Sequence, residues 1–515
     1  MRPDNKLTKW GGYLVVAALF VTSCQKGNEY EQALPKDAAV VVSADLASMA
    51  DKSGLGGDEG KDALNRLSDA LKSGMKGSEQ LIDKIVKDPS ESGLDLRKNV
   101  YFFVESQSTS AGLVASVRDD GKVEDLLDEL RKQQLCEEPR ESEGCTWTVM
   151  GRVLVAYNGD TFLAIADPKG GAASDMQHTA AMMLRQKENE GFCGTDGFKR
   201  MKEAKGDIVA MTSLDMLPMQ YSAMLTMGGS ADMKLQDVKM MATVNFENGK
   251  VVADIENLST DKTFNELSKQ LYQATSPVKG SYLSTFAENT VVWMSANVDG
   301  SKLYSLLNGN ATISQELENS MMPIDFEAIF NAVKGDVAVV SPNPLTSGFV
   351  AYADVTDAGF LQTFEELKPL LALTGGQMVL RNEGKDAYRF QMLDGRVLGM
   401  RPGPASLWFG VKDNRFYLTN DVALLEAPKG TTLESTPWAG QVKGKRFFMG
   451  VNFAPVVAVA GTFMRGSSQL APVMAALGGF DYLTVETFDE KKGRIELVMK
   501  DRNRNVLRSL TAPSN

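Results

Sequence analysis

Histidine is almost absent from this sequence, whose 515 residues contain one histidine, His178, and 4 cysteines. Zinc sites are built mainly from these two residue types, and no Cys-x-x-Cys pair occurs, so the sequence contains no zinc motif. A Ser-His-Asp triad would have to use His178, but the Gly-x-Ser-x-Gly turn that presents such a serine is missing. His178 lies in the helical pattern SDMQHTAAMMLRQ, which favours a solvated helix surface. We therefore predict no metal and no cofactor.

Long apolar runs are also scarce. One run, GGYLVVAALFV at residues 11–21, follows a basic start that contains Arg2, Lys6 and Lys9. Its length is about half of the ~20 residues that a membrane-spanning helix needs. A basic start followed by a short apolar run is the layout of a secretory signal peptide, which we predict over residues 1–23. The remaining chain is expected to lie outside the bilayer.

Cys24 follows the small residues Thr22 and Ser23 directly, and the segment Val21-Thr22-Ser23-Cys24 resembles the lipobox of bacterial lipoproteins. The resemblance implies that the Cys24 sulfur carries a diacylglycerol, that the preceding peptide is removed, and that residues 24–33 form a lipidated tether. The partner is then outer-membrane lipid, reached through the acyl chains. Two or three chains, at ~0.8 kcal/mol per buried methylene, anchor a protein stably. An ordinary secretory signal with a chance cysteine is the alternative.

Basic charge is in short supply, since 55 basic residues face 66 acidic ones and the formal net charge is −11. Removal of residues 1–23 takes away three basic residues and one acid, which makes the charge −13. An acidic chain argues against nucleic acid as a partner. The hydrophobic content of 43% is ample for large cores, and disorder is expected only in the tether and in a tail over residues 502–515.

Three cysteines remain beyond the lipobox: Cys136, Cys145 and Cys193. In an oxidising envelope they could form at most one intramolecular bridge. Cys136 and Cys145 are the two ends of the polar segment CEEPRESEGC. A disulfide between them would close this segment into a short loop, so this pair is the candidate disulfide. Three free thiols are an equal alternative.

Five stretches of the first half recur in the same order in the second half. For example, LPKDAAVVVSADLASMADKSGL from Leu34 resembles FAENTVVWMSANVDGSKLYSLL from Phe286. The strands in these stretches are joined by loops too short for crossover helices, which predicts an α+β fold with antiparallel sheets and helices packed on one face. We predict a first α+β domain over residues 34–277 and a duplicated second domain over residues 278–501. Two similar domains of unrelated origin are the alternative.

The lipobox, about ten polar residues and the stretch from Leu34 with its echo together resemble a family of large Bacteroides-type outer-membrane lipoproteins that contain a domain of unknown function. The resemblance implies an outer-membrane lipoprotein that faces the periplasm or the cell surface, and it supplies no catalytic residues. In such lipoproteins a lysine and acids just after the cysteine can act as a surface-export signal. Gln25, Lys26 and Glu29 fit that pattern, whereas Gly27 and Asn28 depart from it.

These observations favour a non-enzymatic binding or scaffolding lipoprotein whose partner is a protein, a peptide or a glycan. Two alternatives stay open. A carboxylate-based envelope hydrolase could use acids such as Glu486 and Asp489, although both lie beside a predicted hairpin turn, where solvated acids are expected. A carrier of an apolar ligand would need a continuous apolar tunnel inside one half.

Overall fold

The computed structural model describes residues 30–55, 60–74, 79–106, 110–167, 173–226, 232–310, 313–315, 324–342, 348–398, 400, 402–463 and 477–511. The chain divides into two compact units. Unit 1 comprises residues 1–217, 239–253 and 502–515, and unit 2 comprises residues 218–238 and 254–501. This division is not the single boundary expected at residues 277 and 278, because a compact unit is defined by contacts in space and not by order along the chain.

The strands are short and antiparallel to their neighbours. They are β1 (Ala38–Ala44), β2 (Val100–Glu105), β3 (Ala111–Ser116), β4 (Arg140–Ser142), β5 (Cys145–Met150), β6 (Val153–Tyr157), β7 (Thr161–Ala166), β8 (Ile208–Ser213), β9 (Lys239–Glu247), β10 (Lys250–Asn257), β11 (Thr275–Ser276), β12 (Val292–Asp299), β13 (Val333–Ser341), β14 (Val350–Val355), β15 (Met378–Gly384), β16 (Ala387–Met392), β17 (Ala405–Lys412), β18 (Arg415–Thr419), β19 (Phe447–Asn452), β20 (Phe480–Thr487) and β21 (Lys492–Met499).

The α-helices lie mostly between pairs of strands. They are α1 (Leu46–Ser53), α2 (Lys61–Gly74), α3 (Glu79–Lys87), α4 (Asp120–Lys132), α5 (Ala173–Arg185), α6 (Asp196–Glu203), α7 (Met219–Leu225), α8 (Lys262–Gln273), α9 (Gly300–Asn308), α10 (Phe326–Ala332), α11 (Gln362–Ala372), α12 (Ala439–Val442), α13 (Phe453–Phe463) and α14 (Val506–Thr511). Across the described part of the chain, no helix combines the length and the apolarity that a bilayer-spanning segment needs.

Aspartate marks the start of several helices. The carboxylates of Asp45, Asp119, Asp261, Asp299 and Asp325 each accept a hydrogen bond from the backbone N–H three residues later. This bond satisfies one of the backbone N–H groups that the first turn of a helix leaves unpaired. The helices therefore begin where the sequence offers an N-cap.

In unit 1 the strands pair in the order β9, β8, β1, β2, β3, β7, β6, β5, β4. One cross-strand row runs through Ser43, Tyr101, Val114, Leu163 and Ala156. We call the side of the sheet that bears these residues face A. Helix α5 packs on β5, β6 and β7 and buries Ala180, Ala181 and Met183. On the opposite side, face B, α4 packs through Val123, Leu127 and Leu130 against Val155 and Tyr157 of β6.

In unit 2 the strands pair in the order β21, β20, β19, β12, β13, β14, β18, β17, β16, β15. The corresponding row runs through Ser295, Ala338, Tyr352, Tyr417 and Gly410, and its side of the sheet is face A of unit 2. Side chains alternate between the two faces along each strand. Each face therefore carries its own core.

Face A of unit 2 is covered at the central strands. Trp293, Val340 and Phe448 are fully buried there beneath Tyr282 and Trp438, which come from the segments before β12 and before β19. Face B carries a second core at the outer strands. There Phe409 and Tyr388 pack against Phe360 and Leu361, just before α11, and against Ala332 at the end of α10.

The α+β class expected from the sequence is confirmed, with mixed helix and antiparallel sheet. The expectation that helices pack on one face is wrong for unit 1, where α5 and α4 lie on opposite faces of the sheet. The segment 502–515, which was expected to be a disordered tail, contains a helix. Residues 506–511 form α14, and the Val506 side chain is fully buried. Asn505 donates a side-chain hydrogen bond to the Phe246 carbonyl at 2.9 Å. Val506 therefore occupies a core position, which the polar residues around it in the sequence did not indicate.

Candidate functional site

A cleft of about 850 Å³ opens on face A of unit 2, over the outer strands β15, β16 and β17. Its described lining is apolar and amide-rich, with one charged residue; it consists of Phe349, Gly376, Gln377, Val379, Arg389, Gln391, Met392, Leu393, Met400, Pro402, Pro404, Ala405, Ser406, Trp408 and Asn420. The volume suits a small molecule or a few residues of a peptide.

The cleft exists because nothing like α5 covers this part of unit 2. In unit 1, Leu154 and Ile165 pair on face A, each two residues along its strand from the cross-strand row described above. Both are almost fully buried in the area that α5 covers. In unit 2, Thr419 stands at the position of Ile165 and is buried. Trp408 stands at the position of Leu154, remains only partly buried, and pairs on its other side with Arg389 of the next strand. Between β18 and β19 the chain forms two short 3₁₀ turns and the four-residue α12.

Arg389 and Trp408 form the floor of the cleft. The guanidinium carbon lies 5.0 Å from the centre of the Trp408 ring, within the range of a cation–π contact. The Nε atom of Arg389 is buried and, within the described residues, has no hydrogen-bond partner. A buried donor without an acceptor costs about 1–3 kcal/mol, so an acceptor placed beside this atom would be stabilising.

The charge of Arg389 is not balanced by an acid of the described lining. None of the described lining residues is acidic. The residue directly opposite on β15 is another arginine, Arg381, and like charges at paired positions repel each other. Gln391 and Ser406 form the next pair toward the cleft mouth and add an amide and a hydroxyl. The cleft is therefore a positively charged site within an acidic chain.

The walls come from loops on either side. The connection from β16 to β17 supplies Leu393, Met400, Pro402 and Pro404 on one side. This connection spans residues 393–404, whereas the connection from β5 to β6 in unit 1 spans residues 151–152. On the other rim, the Asn420 side chain accepts a hydrogen bond from the Phe349 N–H at 2.9 Å. The apolar wall is thus specific to unit 2.

Unit 1 has a polar cleft of about 630 Å³ near the β4–β5 turn. Its lining includes Asp120, Glu124, Glu141, Cys145 and Tyr157. Burial raises the pKa of the Cys145 thiol and of the Tyr157 hydroxyl, which keeps both protonated at neutral pH. Among the described residues, no group of three or more histidine, cysteine, aspartate or glutamate side chains is placed to hold a metal ion.

The residues predicted for lipidation and export, Cys24, Gln25, Lys26 and Glu29, lie outside the described residues. The candidate disulfide lies within them, but it is not formed: Cys136, Cys145 and Cys193 are all free thiols.

The register of the β4–β5 hairpin explains why Cys136 and Cys145 are not bridged. Cys145 pairs with Ser142 at the tight turn, whereas the N–H of Glu137, next to Cys136, donates to Val149 at the far end of the hairpin. Six residues of extended chain separate Cys136 from Ser142, which corresponds to ~20 Å. A disulfide needs Cα atoms within about 7 Å, so the bridge would require the hairpin to open.

Cys193 is held in the core of unit 1. Its Sγ lies 2.9 Å from the Glu31 carbonyl oxygen, and the side chain is 5% exposed. Burial, followed by the negative charge of Glu31, raises the pKa of the Cys193 thiol to about 12. The thiolate needed for nucleophilic chemistry is therefore scarce.

The acids considered for hydrolysis have structural partners. Glu486 lies on β20, largely buried, and pairs with Lys445 at 2.6 Å. Asp489 accepts hydrogen bonds from the N–H groups of Lys491 and Lys492 in the β20–β21 turn. His178 is exposed on α5, with Nδ1 3.2 Å from the Glu143 carboxylate. None of these three residues lines either cleft described above.

Face B of unit 2 is apolar at the central strands but is not well buried. Most of the side chains that point to this side are aliphatic, aromatic or methionine, and these are half-buried or exposed: Val292, Met294, Val337, Val339, Phe447, Met449, Val451, Leu483, Val485, Ile495 and Leu497. On the other side of the same strands, Ser295, Thr484 and Glu486 are buried. Apolar surfaces that stay partly exposed in this way are usual at interaction sites.

The fold and the sites define a two-unit α+β protein with an arginine-bearing cleft and an apolar sheet face. A family description, Domain of unknown function (DUF4836), matches residues 30–507. The chain therefore belongs to the DUF4836 family.

Other comparisons are weaker. No curated protein matches the chain. Among solved structures, crystal forms IV, III and I of TP0453 are similar at 11%, 12% and 10% identity, with TM-scores of 0.26, 0.27 and 0.27. They cover 44%, 48% and 46% of this chain, and 79%, 88% and 80% of their own. At such TM-scores the similarity does not establish a shared fold.

Proposed function

We propose that this protein is a lipid-anchored, non-enzymatic binding protein of the bacterial outer membrane, and that the cleft of unit 2 holds its ligand. The observation that carries the binding role is Arg389, a partly buried cation with an unpaired Nε, in a cleft whose described lining contains no acid. Unpaired buried polar groups are rare in folded proteins, so a donor of this kind beside a cleft favours the binding of an acceptor there.

The binding role is tested by native mass spectrometry of the full chain extracted from envelopes in mild detergent. We expect a bound small molecule in the wild-type protein that is lost in Trp408→Ala. The matched control is Trp147→Ala in unit 1, where Arg140 lies over an indole ring at 5.5 Å but has Glu137 3.6 Å away. An adduct unaffected by Trp408→Ala, or no adduct at all, would contradict the proposed site.

The anchor is proposed from the segment that ends at Cys24, with its basic start, short apolar run and small residues. We expect Cys24→Ala to move the protein from the membrane fraction to the soluble envelope fraction and to remove labelling by palmitate. Cys193→Ala, which changes a buried cysteine, serves as the control and should leave both unchanged. A membrane-bound Cys24→Ala variant would refute the anchor.

From Gln25, Lys26 and Glu29 we propose that the anchored protein faces the cell surface. The periplasmic side of the membrane is the alternative. Protease added to intact cells should then degrade the protein. Replacement of Lys26 and Glu29 by alanine should protect it without releasing it from the membrane. Protection of the wild-type protein would place it on the periplasmic side.

An internal duplication is proposed for the two units. It is supported by the collinear sequence echoes, by the matching strand orders and by the matching cross-strand rows, each of which begins at a buried serine, Ser43 or Ser295. If the proposal holds, superposition of the two sheets in an experimental structure should place Ser43 on Ser295 and Leu154 on Trp408. A register shifted by one residue would reverse the faces and contradict it.

A carrier of an apolar ligand is the second candidate function, and the partly exposed apolar residues of face B favour it. Val339, which is 37% exposed, lies on β13 in the middle of this face. If an acyl chain binds there, Val339→Asp should abolish the binding of radiolabelled palmitate to the protein. Leu373→Asp, at a position that is 82% exposed beyond α11, should have no effect. Equal binding by both variants would reject this candidate.

A further inference from the structure

The chemistry of the cleft in unit 2 narrows the class of ligand that it accepts. We propose that the cleft binds a small molecule that carries one carboxylate attached to an uncharged, largely apolar body. This inference rests on the proposed binding function and deepens it by naming the ligand class.

The carboxylate is assigned from Arg389. A guanidinium recognises carboxylates through parallel N–H donors, and such charge-assisted hydrogen bonds are roughly twice as strong as neutral ones. The Nε donor of Arg389 has no acceptor among the described residues, and Arg381 opposite adds positive potential. A ligand anion would accept a hydrogen bond from this Nε donor and would reduce the repulsion between the two arginines.

A single negative charge is favoured over two. Arg389 is the one charged residue in the described lining, and Arg381 lies outside it and is exposed. A doubly charged phosphate monoester would leave one charge against an apolar wall, which costs free energy. One guanidinium balances one carboxylate.

The apolar body is assigned from the walls. Val379, Met392, Leu393, Met400, Pro402 and Pro404 surround the arginine with apolar surface. Methionine side chains adapt to different shapes, and proline keeps its wall in place with little loss of entropy when a ligand binds. Gln391 and Ser406 can also hydrogen-bond an amide or hydroxyl of the ligand.

Two sources of this chemistry, a medium-chain fatty acid and a short apolar peptide with a free C-terminus, are distinguished by titration calorimetry on the full chain. The probes are decanoate and N-acetyl-Leu-Leu, each compared with its uncharged amide. We expect at least one carboxylate probe to bind, and its amide to bind about tenfold to a hundredfold more weakly. The probe that binds identifies the source.

Variants test whether Arg389 causes the preference for the carboxylate over the amide. Arg389→Gln should weaken the carboxylate probe by a similar factor and leave the amide unchanged. Arg140→Gln, the matched arginine over Trp147, should change neither. Circular dichroism and thermal unfolding of each variant exclude loss of the fold as the cause.

Failure of the inference is separable from failure of the proposed function. If the amides bind as tightly as the acids, with affinity lost in Trp408→Ala but not in Arg389→Gln, the cleft is a binding site and the carboxylate assignment is wrong. If no probe binds, the ligand class is overturned, and the native mass spectrometry experiment decides whether the cleft holds anything else.

Discussion

Asp336 of unit 2 shows how a single residue organises its surroundings. Its side chain is 0% exposed, and its carboxylate accepts hydrogen bonds from the N–H groups of Lys279 and Ser281 and from the Asn297 amide, at 2.8 to 3.1 Å. A buried carboxylate is tolerated when several donors surround it. The segment that precedes the Trp293 core is therefore held in place by an acid and not by apolar contacts alone.

Asp336→Ala should lower the free energy of unfolding by about 3–5 kcal/mol, because several hydrogen bonds to a charged group are lost and the donors stay partly buried. Urea titration followed by circular dichroism measures the change. The control is Asp160→Asn, at an exposed position in the β6–β7 turn, which should stay within about 0.5 kcal/mol of the wild type. A similar small change at Asp336 would show that its hydrogen bonds contribute little.

Cys193 should resist alkylation. With its pKa raised to about 12 by burial and by Glu31, the thiolate fraction at pH 8 is about a thousandfold lower than that of an ordinary thiol. Iodoacetamide at pH 8 should therefore label Cys136 before Cys193 in the folded protein, and all three cysteines beyond the lipobox in urea. Mass spectrometry of tryptic peptides measures the labelled fraction of each cysteine. If Cys136 and Cys145 stay unlabelled in urea without reductant, they are bridged, and the free thiols of the structure are not the native state.

At the scale of elements, the cover over face A distinguishes the two units. In unit 1 the chain after β7 is long enough to form α5, which lies on β5, β6 and β7. In unit 2 the chain after β18 is used instead in the Trp293 core, where Leu433, Trp438 and Val442 are fully buried. The sheet face that binds a helix in one unit is therefore open in the other.

The packing of α5 can be tested with two substitutions on the same helix. Ala180 is 0% exposed, whereas Met182, two residues along, is 56% exposed. Ala180→Glu should destabilise unit 1 by about 3 kcal/mol or more, because it buries a charge without a partner and overfills the site. Met182→Glu should cost less than about 0.5 kcal/mol. Differential scanning calorimetry compares them, and equal effects would mean that α5 does not cover the sheet as described.

Turn positions show how local patterns succeed and fail. Gly249 lies in the β9–β10 turn with φ = +70°, a conformation that favours glycine. The β20–β21 hairpin also contains a glycine, Gly493, but it lies inside β21 and pairs with Thr487. The turn is formed by Asp489 and its neighbours, because the Asp489 carboxylate binds the next backbone N–H groups and can replace a glycine.

At the scale of the whole molecule, the C-terminal segment belongs to unit 1 although all of unit 2 precedes it in sequence. Helix α14 packs against α1, and Asn505 bridges to Asn248 near the β9–β10 turn. The two ends of the described chain are thus part of the same unit, and a segment that a domain boundary at residue 501 would discard contributes to its core.

Removal of residues 502–515 should therefore destabilise unit 1 by about 3 kcal/mol, since it takes away the buried Val506 and the hydrogen bond to Phe246. Removal of residues 512–515 alone is the control and should have little effect. Limited proteolysis gives the readout: the longer truncation should speed cleavage within residues 30–217 and leave cleavage within residues 254–501 unchanged. Equal cleavage rates for the two truncations would show that the segment is dispensable.

The strands, the α+β class and the absence of histidine and cysteine motifs could be predicted from the sequence, because alternation of apolar residues and residue type are local properties. Tertiary structure decided the site. Arg389 and Trp408 are 19 residues apart and become neighbours only through the β16–β17 register. Whether they face solvent or a helix depends on where the chain after β18 packs. Such packing is a balance of many distant contacts, so no short pattern in the sequence indicates it.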